Sequence, residues 1–62
     1  MKVREIIRLV ERDGWTLRGF SGSQRHFVHP TKPGKVTIPA RLSKDLHPKT
    51  VASILRQAGL DR

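Results

Sequence analysis

Gly22-Ser23-Gln24-Arg25-His26-Phe27-Val28-His29-Pro30 is the stretch from which the rest of the chain can be read. It opens on a flexible Gly/Ser turn, runs on as a short strand and is stopped by Pro30, which has no N–H to give to a ladder. Side chains alternate along a strand with period two. Gln24, His26 and Val28 therefore share one face, and Arg25, Phe27 and His29 share the other. Phe27 marks the face to be covered. With helices packed there, Gln24 and His26 stand on an open sheet face beside the turn.

Two amphipathic segments supply those helices. In residues 3–13, Val3, Ile6, Ile7 and Val10 match the i, i+3, i+4, i+7 template, and Leu9 widens the stripe. Gly14 suits the C′ position, with Trp15 folding back on Val10. Arg4, Arg8 and Arg12 form a row on the opposite side. Glu5 and Glu11 each lie three residues from Arg8, so this face reads as solvated and salt-bridged. Near the other end Val51, Ile54, Leu55 and Ala58 repeat the template. Pro48 fits the first helical position, Gly59 the C′ position, and Leu60 can touch Leu55.

The remaining segments read as strands and turns. Trp15 to Arg18 alternates, with Trp15 and Leu17 pointing one way and Thr16 and Arg18 the other; Trp15 reads as a core anchor. Gly19 to Ser23 reads as a loop, too long for a two-residue hairpin, and such a loop is expected to be mobile and to lie close to a ligand. Pro33-Gly34 suits a type II turn within residues 30–34. Lys35 to Ile38 is a third strand with Val36 and Ile38 inward and Pro39 at its end. Ala40 to Leu46 is connecting loop. The order is α-β-β-β-α. The expected class is α+β, a single domain over residues 1–62, with a three-stranded antiparallel sheet and both helices on one face.

Composition narrows the function. A core of this size contributes only roughly 3–5 kcal/mol, so a staple or partner is expected. No cysteine is present, which excludes disulfides and thiolate metal sites. Neither a membrane-length apolar run nor a signal-peptide core is found, and a cytoplasmic setting without membrane contact is expected. Thirteen Lys and Arg against five Asp and Glu give a net charge of +8. So dense a positive field favours polyanions, nucleic acid first, through attraction and counterion release. Arg18, Arg25, Lys32 and Lys35 lie on or beside the sheet and are the candidate phosphate contacts, Arg25 being the one that alternation turns inward.

Most chemical constellations are missing. His26 and His29 point to opposite faces of a strand, so no metal site is expected. Ser21 and Ser23 have no carboxylate near them in sequence to orient a histidine. Glu5, Glu11, Asp13, Asp45 and Asp61 sit on helices or at their ends, and nucleotide-binding loops are absent. What remains is histidine on a basic open face. Imidazole can take or give the proton of a ribose 2′-OH, with Arg and Lys holding the phosphate.

Asp13-Gly14-Trp15, Gly22-Ser23-x-x-x-Phe27-x-His29-Pro30, Thr31-Lys32-Pro33-Gly34, Val36-Thr37-Ile38-Pro39, Lys44-Asp45-Leu46 and Ser53-Ile54-Leu55-Arg56-Gln57-Ala58-Gly59-Leu60 together resemble the HicA (YcfA-like) toxins. The resemblance spans nearly the whole chain. It implies a fold similar to double-stranded-RNA-binding domains and an mRNA-cleaving ribonuclease that needs no metal or other cofactor. It also implies neutralisation by a HicB-type antitoxin. After Gly-Ser the family normally places the histidine taken to be catalytic; here that position is Gln24. Glutamine hydrogen-bonds but does not take up a proton near neutral pH. Either this chain is inactive, or His26 substitutes on the same face. Inactivity is favoured, because two strand residues displace the imidazole by about 6.6–6.8 Å. The alternative is a non-catalytic RNA-binding or antitoxin-binding module, with Ser23 among the RNA-contacting residues in either case.

Overall fold

The structure, a computed structural model, describes residues 1–60; Asp61, counted above among the helix-end acids, and Arg62 lie outside the described residues. Helix α1 (Val3–Arg12) is followed by β1 (Thr16–Ser21), β2 (Gln24–Val28), β3 (Val36–Pro39) and helix α2 (Pro48–Gln57). The strands form one antiparallel sheet in the order β1-β2-β3. The α-β-β-β-α arrangement is the one expected.

Register separates the two faces of the sheet. Phe27 pairs with Val36 and Arg25 with Ile38; these alternate with the Gln24–Pro39 and His26–Thr37 pairs. Phe27, Val36 and Ile38 are buried against Val3, Ile6 and Val10 of α1 and Ile54 of α2, together with Trp15, Leu46 and Ala58. Both helices therefore cover the Phe27 face. Each large apolar side chain so enclosed contributes about 1.5–3 kcal/mol. The opposite face stays uncovered.

Local chemistry fixes the helix ends. The Lys2 amide donates to the Glu5 carboxylate at 2.7 Å. The Val3 and Arg4 amides, unpaired within any helix, donate to the carbonyls of Lys44 and Leu42. The segment read as plain connection thus caps α1. At the other end Gly14 takes φ +108° and the Trp15 amide donates to the Val10 carbonyl, as the spacing implied. In α2 the His47 Nδ1 accepts from the Lys49 amide, and the Leu60 amide closes on the Leu55 carbonyl past Gly59.

Three details differ from expectation. Gly19–Ser21 belongs to β1, and the hairpin is a two-residue turn at Gly22-Ser23. Gly22 takes φ +60° while Ser23 does not, the pattern of a type II′ turn. Alternation concealed this, because the register shifts between Leu17 and Gly19 and leaves Arg18 as an extra residue, a β-bulge. Past the bulge the parity resets, so Leu17 and Phe20 both lie on the helix side. The helices pack over β2 and β3, and these two side chains stay 44% and 58% exposed. Strand β3 starts at Val36 rather than Lys35. Finally, among the described residues Arg8 forms no ion pair with Glu5 or Glu11; Glu5 serves the Lys2 amide instead. The arginine row is solvated without the expected bridges.

Candidate nucleic-acid interface

The uncovered face is built from transverse rows of paired residues. Ser21, Gln24 and Pro39 form the row next to the hairpin turn. Gly19, His26 and Thr37 form the next, and Thr16 and Val28 lie beyond. Gln24 is exposed at the first position of β2, directly after exposed Ser23. The Ser23 carbonyl accepts from the Ala40 amide at 2.8 Å, which ties the turn to the end of β3. His26 is half-buried, its Nδ1 3.4 Å from the Thr37 hydroxyl. Ser23, Gln24 and His26 therefore come together at one end of an open face.

His29 does different work. Its Nδ1 faces the Thr31 and Lys32 amides at 3.1 Å each and must accept from both; Nε2 lies 2.7 Å from the Asp13 carbonyl oxygen and must donate. The ring meets Trp15 edge-on, 5.2 Å between centroids. Both ring nitrogens are thereby occupied in holding the end of β2 to the end of α1. Among the described residues no three His, Cys, Asp or Glu side chains gather as a metal site.

The four candidate phosphate contacts divide into two pairs. Arg18 is exposed in the bulge, and Lys35 is exposed just before β3. Arg25 lies on the helix side, half-buried, with Nη2 donating to the Ala40 carbonyl at 2.9 Å and the guanidinium 5.0 Å from the Phe20 ring centroid. Lys32 is ion-paired with Asp13 and donates to the Ala58 carbonyl at 3.0 Å. The Lys32 hydrogen bond, above all, holds the Asp13 carboxyl below its ordinary value, against an opposing effect of desolvation; the nearby charge of Lys32 adds to the lowering.

Thr37 is a residue of this face that the sequence did not single out, and Gly19 and Ser21, read as loop, join it as strand residues. Thr37 was within reach: it stands between inward Val36 and Ile38, so alternation turns it outward beside His26. Gly19 and Ser21 were hidden behind the bulge.

Against this geometry, comparison with protein families matches residues 3–60 to the HicA toxin of bacterial toxin–antitoxin systems. The chain belongs to the HicA toxin family. The match leaves out only two residues at each end. A comparison with curated proteins finds no match to the chain. HicA membership implies a toxin of a toxin–antitoxin pair, generally an mRNA-cleaving ribonuclease, with RNA and an antitoxin as partners. The net charge of +8 suits an RNA-directed HicA protein. No helix among the described residues is long and apolar enough to cross a membrane.

Proposed function

We propose that the open face around Gln24 and His26 is the RNA-binding and cleavage face of a HicA ribonuclease, impaired in this chain because Gln24 stands where the family's catalytic histidine is normally found. The observation that carries this reading is the position of Gln24. It is exposed, beside the Gly22-Ser23 turn, on the face left open by the helices. A histidine there would take the 2′-OH proton while that oxygen attacks the adjoining phosphorus. The bond from phosphorus to the 5′-oxygen breaks and the leaving oxygen is protonated. These steps need a proton acceptor, a proton donor and cations near the phosphate, which is why the reading assigns no metal or cofactor. Glutamine supplies hydrogen bonds but no proton transfer. His26, one strand repeat further on, is the substitute base if the chain cleaves as it stands. Arg18 and Lys35 are the leading phosphate contacts, with Ser23 hydrogen-bonding beside them. Arg25 and Lys32, held by internal partners, rank after these.

Gln24→His tests this directly. The substituted protein should cleave RNA about 10²–10⁴-fold faster than the original, the range of a general base, with an ionisation near neutral pH. Exchange of two polar side chains at an exposed position should change stability by no more than about 0.5 kcal/mol. If the original cleaves and His26→Ala abolishes the cleavage, His26 is the base. If neither form cleaves while both bind RNA, the non-catalytic RNA-binding reading replaces this one.

The same face is assigned to a HicB-type antitoxin, in a cytoplasmic toxin–antitoxin pair. An antitoxin that binds only the folded toxin adds about 2.7 kcal/mol of stability at a hundred times its dissociation constant. Hydrogen exchange of the complex should show protection at the ends of β1, β2 and β3 nearest the hairpin. Protection confined to the helices would move the antitoxin to the other side.

A further inference from the structure

Gly19 occupies the open face just past the bulge, with no conformational need for glycine. Its φ is not positive, and a Cβ added there meets nothing within 4 Å. Neither backbone strain nor close packing inside the protein requires it, and a glycine within a strand weakens that strand. Besides the neighbouring bulge, the reason left is an approach to the backbone from outside.

We infer that Gly19 is the floor of a one-nucleotide subsite, in which an unstacked RNA base lies on bare β1 backbone against the His26 imidazole. Gly19 pairs with His26 across β1 and β2, so the missing side chain leaves an open notch in the row next to His26. On its other side His26 lies next to Thr37, whose hydroxyl is 3.4 Å from Nδ1. The adjoining row supplies Ser21 and Gln24, a hydroxyl and an amide that can hydrogen-bond a base edge. Arg18, one residue before Gly19 and exposed in the bulge, offers a cation to a neighbouring phosphate. Splayed bases held by stacking on a ring and by edge hydrogen bonds are the usual terms of single-stranded RNA recognition. The subsite rests on the RNA reading given above.

The test fills the notch. Gly19→Val places a β-branched side chain in a strand at an open position with ordinary φ, so the fold should be as stable as before or more so. Affinity for a short single-stranded oligoribonucleotide should fall about five- to hundredfold, the span associated with losing one base stack. The slope of log affinity against log salt should stay the same, since no phosphate contact is removed. Gly19→Ala should show a smaller loss. In a titration of the unaltered protein, the Gly19 amide and the His26 ring signals should shift with RNA. If the unaltered protein binds RNA but both Gly19 variants bind it equally well and the Gly19 amide does not move, the subsite is wrong and the RNA reading stands. If the valine form keeps RNA affinity but loses its antitoxin, the notch serves the protein partner and the inference is overturned. If the unaltered protein binds no RNA, the wider reading fails and the subsite with it. Should the valine form melt early, the alanine form and the titration decide.

Discussion

Lys32 is ion-paired with Asp13 and also donates to the Ala58 carbonyl, so one side chain from the β2–β3 turn fastens the C-terminal ends of both helices. The same carbonyl accepts from the Trp15 indole at 3.3 Å, and His29 bonds the Asp13 backbone from beneath. This knot lies away from the Gln24 face. It is the staple that a core of this size needs, made from charges and hydrogen bonds rather than cysteines.

The knot gives a pH dependence with a definite sign. The Asp13 carboxyl is held below its ordinary value in the folded protein, first by the Lys32 hydrogen bond. Its contribution is therefore fully present above the ordinary carboxylate value of about 3.9, and is lost as pH falls through the lowered folded value. Asp13→Asn keeps the size and removes the titration. Thermal unfolding followed from about pH 2 to about pH 6 should show the variant less stable at the upper end, with the difference closing at the lower end. A constant difference at every pH would assign the loss to packing instead.

Gly14 and Gly22 both have positive φ, at +108° and +60°, but they should respond differently to alanine. At Gly22 an added Cβ meets nothing within 4 Å, so the strain of the backbone is the whole effect, about 1–2 kcal/mol. At Gly14 it arrives 2.8 Å from His29 Nε2, which is fixed on the Asp13 carbonyl. Gly14→Ala should then lower the melting temperature clearly more than Gly22→Ala. Equal losses would mean that the His29 ring yields easily and the knot is softer than its hydrogen bonds suggest.

The sequence was legible where each segment had one physical demand. Helix periodicity, glycine at C′ and the inward pair Val36 and Ile38 gave both helices, β3 and the covered face. Residues 17–21 were not legible, because a bulge changes which residues share a side and cannot be seen in a pattern of single letters. The spacing therefore reads Gly19–Ser23 as loop. Of the candidate site, alternation alone put Gln24 and His26 on the open face and turned Arg25 inward. Nothing local told that Lys32 would be spent on Asp13 and Ala58, since that contact joins residues 19 and 26 positions apart. The arginine row failed for the opposite reason. Spacing permits the Arg8 pairs, but solvated partners gain only about 0.2–0.5 kcal/mol from them, and Glu5 has a backbone donor to serve.

The contrast between exposed and internally held cations leads to a prediction about RNA binding. Arg18 stands exposed in the β1 bulge with no ion pair among the described residues, whereas Lys32 is already paired with Asp13. A cation that replaces a condensed counterion on RNA contributes to the salt slope; one neutralised within the protein does not. Arg18→Ala should therefore reduce the magnitude of the log–log salt slope by about 0.7–0.9 while leaving the melting temperature nearly unchanged. Lys32→Met should do the reverse, lowering the melting temperature through loss of the knot and leaving the slope where it was. The measurement is RNA affinity at several salt concentrations, on variants whose folding has been checked by thermal unfolding. A slope reduction of that size with Lys32→Met and none with Arg18→Ala would mean that RNA draws Lys32 away from Asp13. The interface would then run along the β2–β3 turn rather than over the bulge.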